Sequence, residues 1–304
     1  TLYGIPYAYN QEVAWYNTAK FKEKGIDAPP ATQKEFLEDC EKYADPANSS
    51  YFYSLRGVRP YDSLVAWLWT YTDGLGYDGS WFDENGKCVL NQPKFVEGLE
   101  LYASLYKNGW VSGDSVNNNY NEMVAEFGAG TSMMIMHNSS SRSNHVANLG
   151  DGNFAAARPL ANDESGNYYT SAIQPTLFAI CNTKGEDGDY AGAAKLIEYL
   201  TCGEYIVWQS LHFGRQPVNS KAYEMAYDEL IANDPYLELY NAMLEDEHYK
   251  QAQNPYYLSG WFNFVNTELT NGFQALLIGE KTAQEVADGW CAYLEAELAS
   301  YNAE

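Results

Sequence analysis

Two carboxylates flanking a sugar bond would make a glycoside hydrolase, and a chain with 41 Asp and Glu can nominate almost any pair. Most of them, such as Glu35, Glu38, Asp39 and Glu41, fall on the polar faces of helical segments and read as solvated surface. The four histidines, His137, His145, His212 and His248, share no metal-ligand spacing. The five cysteines, Cys40, Cys88, Cys181, Cys202 and Cys291, are odd in number, widely spaced and without a C-x-x-C. They read as small buried hydrophobes, not as a disulfide framework or a zinc site. Asp83-Glu84-Asn85-Gly86 has the residue types of a calcium loop but lacks its later glutamate, and it sits in a hairpin signal. No G-x-G-x-x-G, P-loop or G-x-S-x-G occurs. No catalytic residue, metal ligand or cofactor is expected.

What the chain does have is ring surface: 27 Tyr, 8 Trp and 12 Phe in 304 residues. Tyr and Trp offer large, stiff contact area with a polar handle, which suits binding. A net charge of −23 argues against a nucleic-acid partner and against attraction to anionic lipid. Such a charge favours a soluble monomer. No apolar run approaches the ~18 residues of a membrane helix. The length suggests about two domains.

The elements that must carry these residues alternate. Residues 2–9 read as a strand edge interrupted by Pro6, with Ala14–Asn17 extended beyond it. Lys20–Lys24 is a short helix stopped by Gly25. Thr32 and Glu35 form a capping box for a helix over Gln33–Tyr43. Helices follow over Tyr61–Thr72 and from Pro93 to Gly109, with an Asn85-Gly86 hairpin between them. Glu122–Phe127 is helical, Ser132–Met136 a strand, and His137–Ser141 a polar loop. Strands at Phe154–Ala157 and Thr176–Ile180 precede a helical C-terminal third. Strands separated by helices argue an α/β fold.

The order of these signals resembles the extracellular sugar-binding class of solute-binding proteins that serve ABC importers. The resemblance is carried by Tyr3-Gly4-Ile5-Pro6-Tyr7, Trp15-Tyr16-Asn17, Phe21 through Thr32, Glu35-Phe36 and Asp83–Lys87 with the following helix. It continues in Phe127 through Met134, Gly214 through Val218, and Gly279 through Thr282 with Glu285. It implies an α/β, two-lobe periplasmic-binding-protein-like fold whose hinge crossings fall near 7–12, 171–174 and 218–223. By the same token, 1–9 and 175–218 belong to a partial N-lobe, and 12–172 and 224–304 to a complete C-lobe. About 100 residues of further N-lobe, with a signal and a lipid-anchoring cysteine, are expected ahead of the match. The implied setting is the outer face of a bacterial membrane, lipid-anchored, or the periplasm.

The resemblance also implies that ligand binds between the lobes, which close on it. A pyranose needs aromatic plates for its C–H face and planar polar groups for its hydroxyls. By position the candidates are Tyr9, Asn10 and Gln11 at the first crossing, and Asp62 and Trp67 at a helix start. His137, Asn138 and Ser139 lie in the loop after a strand, Gln174 at the second crossing and Arg215 before Gln-Pro. Trp261 and Phe262 follow a tyrosine-rich loop. Trp261 is favoured as a plate and Trp208 as core, while Trp67 and Trp69 sit beside Leu64 and Leu68 and suit core as well. Arg215 suits either ligand or a bracing ion pair. The expected function is capture of an oligosaccharide for an ABC permease. The alternatives are a peptide, polyamine or other metabolite, and a glycoside hydrolase.

Overall fold

The computed structural model describes residues 4–171 and 174–303. In chain order the first elements are β1 (Ile5–Asn10), β2 (Glu12–Asn17), α1 (Thr18–Lys24), α2 (Gln33–Tyr43), β3 (Tyr51–Tyr53), α3 (Tyr61–Thr72) and α4 (Pro93–Lys107). Then come α5 (Tyr120–Ala129), β4 (Ser132–Asn138), α6 (Arg142–Leu149), β5 (Phe154–Ala157), β6 (Tyr168–Thr170) and β7 (Gln174–Phe178). The rest are α7 (Tyr190–Leu200), α8 (Gly203–Phe213), β8 (Gln216–Pro217), α9 (Ser220–Asn233), α10 (Leu237–Leu244), β9 (Tyr249–Gln251), α11 (Trp261–Asn263), α12 (Leu269–Leu277) and α13 (Ala283–Ala303). A π-helical turn, Phe264–Glu268, joins α11 to α12.

Two compact units form. The first holds Thr1–Gln11, Asn138–Ser143 and Ile173–Glu245, and the second holds the rest. In the first unit β1 lies between β7 and β8, antiparallel to both, with Asn10 opposite Gln174 and Tyr9 opposite Gln216. Pro6 has no N–H to give the ladder, and the register shifts between Pro6 and Ala8. Tyr7, Ala8, Ile206 and Ala222 form one apolar cluster of this unit, with Tyr7 stacked on Phe178.

The second unit carries the larger core. Its four-stranded sheet runs β3-β4-β2-β5, and β6 pairs in parallel with β9. The Thr32 hydroxyl accepts from Glu35 N while Glu35 accepts from Thr32 N, so the capping box sets the start of α2. Gly25 closes α1 at φ 67°, where any side chain would be strained. Helix α3 is buried on most of its circumference, through Leu64, Val65, Trp67, Leu68 and Trp69. Asp83 Oδ1 accepts from Asn85 N and Lys87 N, so that carboxylate holds its own turn.

Three expectations are corrected. Cys88 and Cys291 form a disulfide, with Cα atoms 5.1 Å apart, and Cys181 is exposed. Pairing partners 203 residues apart leave no spacing signal. Trp208 is 45% exposed, stacked on His212 and Tyr205 instead of entering a core. The last unit boundary falls at 245/246, where the third crossing was expected near 218–223. Helix α9 packs on α8 and β8, and α10 on α9, which keeps both in the first unit. Residues 172 and 173 of the second expected crossing lie outside the described residues.

Candidate functional site

The first unit gathers planar amides at the end of β1. Gln11 is 1% exposed and Gln216 2%, and neither amide has a hydrogen-bond partner at its nitrogen or its oxygen. Asn10 Oδ1 is likewise buried and unpartnered. The strand pairing sets Gln216 opposite Tyr9, near the same end of β1. Tyr9 is buried and its hydroxyl meets that of Tyr223, which donates to Asn241 Oδ1. Burial first, then Tyr223, pushes the Tyr9 phenol well up, so it stays protonated and can donate.

The serine turn after β4 supports this cluster. Ser139 N donates to Gln11 O at 2.7 Å, and Ser139 Oγ accepts from Gln11 N at 3.3 Å. Ser139 thus fixes the Gln11 backbone. Asn138 accepts from Ser140 Oγ at its side chain and from Ser141 Oγ at its carbonyl. Arg215 donates to the Tyr7 hydroxyl and lies over that ring. The Gln174 backbone lies in β7, and its side chain lies outside the described residues.

The second unit contributes an acidic cluster. Glu12 opens β2, and its carboxylate accepts from Ser171 N at 2.9 Å and contacts Ser171 Oγ at 2.6 Å. Asp62, in the first turn of α3, lies 3.5 Å from the same Oγ and 3.6 Å from Arg56. Asn254 donates to Ser171 O at 2.7 Å and to the Tyr256 hydroxyl at 3.1 Å. The Asn254 Oδ1 and the Tyr61 hydroxyl are buried without partners. Burial pushes the Tyr61 phenol well up, helped by Tyr256, Asp62 and Glu12.

Other expected contacts are placed differently. Trp67 is buried, donates from Nε1 to Gly98 O at 2.8 Å and packs on Tyr102, so it is core. Trp261, favoured as a plate, is 2% exposed and packed edge-on against Trp81, Tyr61 and Tyr256. A residue two after Ser259 on a helix start points inward here because α11 begins by turning its first residue onto α3. Phe262, its neighbour, is 66% exposed. His137 is buried against the Tyr120 ring, whose hydroxyl accepts from Asn144. Gln216, Glu12, Arg56, Tyr61, Asn254 and Tyr256 are additions that sequence reasoning missed. Among the described residues, no group of three His, Cys, Asp or Glu is placed to hold a metal.

Residues 1–238 match the family of bacterial extracellular solute-binding proteins. The chain belongs to that family. It is therefore a transport-type binding protein and not an enzyme. A putative binding protein of Brucella abortus is 22% identical over 299 residues, 97% of this chain and 68% of the relative. A mannitol-binding protein of Pseudomonas aeruginosa is 26% identical over 131 residues, 43% of this chain and 29% of the relative. The solved structure of maltose-bound MalE3 from T. maritima superposes with a TM-score of 0.79 at 18% identity, over 96% of this chain and 72% of that one. That likeness shows the fold, the two-lobed α/β architecture of periplasmic binding proteins.

The unpartnered amides of this solute-binding protein carry a testable cost. A buried amide without a partner destabilises a fold by about 1–3 kcal/mol. Gln11→Leu is expected to raise the stability of the ligand-free protein by about that amount, read from urea unfolding. A loss of stability would show that Gln11 has partners in solution.

Proposed function

We propose that the protein binds a carbohydrate and delivers it to an ABC-transporter permease. The observation that carries this reading is the pair of buried, unpartnered amides, Gln11 and Gln216. An amide offers a donor and an acceptor a short distance apart, the pattern of adjacent sugar hydroxyls. A site built to hydrogen-bond hydroxyls leaves its polar groups unpaired until the ligand enters. The names of similar proteins, one mannitol-binding and one maltose-bound, support the same class. The exposed rings of Tyr256, Tyr257 and Phe262 favour a ligand of more than one sugar ring. A polyamine fits less well, because Asp62 already has Arg56 and Glu12 is spent on Ser171.

A thermal-shift panel of polyols, monosaccharides, maltose-type oligosaccharides and spermidine tests the reading. A ligand at 100 times its Kd should add about 2.7 kcal/mol of stability. The expected result is a rise with one carbohydrate group and none with spermidine. Gln11→Leu should then lose that rise. A rise with spermidine alone overturns the substrate class.

A further inference from the structure

The geometry points to Glu12 as a positioning residue, a buried carboxylic acid that donates its proton to Ser171 Oγ and so frees the serine to orient Asp62 toward the ligand. Ser171 Oγ stands 2.6 Å from Glu12 Oε1 and 3.5 Å from Asp62 Oδ1. A hydroxyl has one proton, and ionised carboxylates only accept. With both acids ionised, Ser171 can serve one of them and must leave its lone pairs facing the other. A proton on Glu12 Oε1 resolves the conflict. Glu12 then donates to Ser171 Oγ, and Ser171 donates to Asp62.

The rest of Glu12 and the surrounding charges agree with that order. Glu12 Oε2 accepts from Ser171 N at 2.9 Å, which a neutral acid does through its carbonyl oxygen. Asn254 holds the Ser171 carbonyl from the other side, so the serine is pinned at both ends of its peptide. Arg56 lies 3.6 Å from the other Asp62 oxygen, and Arg59 acts on Arg56 from behind. The phenols of Tyr61 and Tyr256 are titratable neighbours as well. With Glu12 neutral, the Asp62 charge faces the Arg56 guanidinium. Burial first, and the Asp62 charge second, raise the Glu12 carboxyl well above the usual range, against the pull of the Ser171 bonds.

The sign of the pH effect follows. A folded acid with a raised pKa contributes its full stability below the unfolded value, and loses it as pH rises toward the folded value. As Glu12 ionises, it recaptures the Ser171 proton, and Asp62 no longer receives it. Glu12→Gln mimics the protonated acid, because its amide donates from one atom and accepts at the other.

Carboxyl 13C NMR of glutamate-labelled protein, with the E12Q variant assigning the missing signal, tests the protonation. The Glu12 signal is expected at the position of a neutral acid at about pH 7. A signal at the ionised position there overturns the proposal. Urea midpoints from about pH 5 to about pH 9 give a second readout. The wild type should weaken with rising pH relative to E12Q. A parallel loss in E12Q at every pH would mean that the anion is what the fold requires. The role toward ligand rests on the carbohydrate reading. There, the Kd of the strongest carbohydrate from the panel should rise with pH in the wild type and stay flat in E12Q. An identical pH profile in the two proteins overturns the positioning role. If no carbohydrate binds, that reading fails by itself, and the ligand-free measurements still decide the state of Glu12.

Discussion

Unfolded in denaturant without reductant, the protein is expected to titrate three thiols, and five after reduction. The two that appear are Cys88 and Cys291. Replacing both by serine is expected to cost about 2–5 kcal/mol of stability. The size follows from the loop the bond closes. With partners 203 residues apart, the chain-entropy relation gives about 5 kcal/mol, near the top of what disulfides deliver. Other contacts already dock the same two segments, which is why the lower end of the range is included. Cys88 N donates to Glu295 Oε1 at 3.0 Å, and Lys87 pairs with Glu295 Oε2 at 3.0 Å, so α13 meets the Asp83–Lys87 turn without the bond. The bond therefore acts mainly on the unfolded chain, where it holds the helical end against the middle of the sequence. Five reactive thiols before reduction would sink the assignment. The paired serine variant should then unfold at the same urea concentration as the parent.

Local signals in this chain are legible because local physics makes them. The Thr32–Glu35 box, the Gly25 stop and the Asn85-Gly86 turn each act over a few residues, and each stands where its chemistry predicts. The site is legible only in part. Asn10 and Gln11 lie at the end of a strand whose neighbours come from residues 174–178 and 216–217, so nothing near them says that the Gln11 amide and Asn10 Oδ1 are left unpartnered. Gln216 stands one residue past a candidate and is identified only by its pairing with Tyr9. The Glu12–Ser171–Asp62 contact joins three separate segments. The tryptophans fail for another reason. Helix α3 is buried nearly all round, so its periodicity does not mark a wet face, and Trp67 cannot be told from a plate by spacing. Trp208 errs in the opposite direction, because helix α8 buries little beyond Ile206 and Ser210.

Trp261 and Phe262 are adjacent rings with opposite expected behaviour. Trp261→Ala is expected to destabilise the ligand-free protein by about 3–5 kcal/mol, and Phe262→Ala by less than about 0.5 kcal/mol. The Trp261 indole sits among Trp81 at 5.0 Å, Phe264 at 5.6 Å and Tyr61 at 5.9 Å, so truncation removes edge-to-face contacts with Trp81 and Tyr61 and a stacked one with Phe264, and leaves a cavity. Phe262 is two-thirds in solvent and loses little. Urea unfolding without ligand reads both. A sugar-binding plate stands free until its ligand arrives, so equal and small costs for the two variants would return Trp261 to the site. The large cost has a consequence for binding as well. Trp261 also meets Tyr256 edge-on at 6.2 Å, and so props both phenols of the acidic cluster. Its removal should therefore weaken carbohydrate binding without the indole touching the ligand, whereas Phe262→Ala acts on affinity only as far as a sugar ring rests on it.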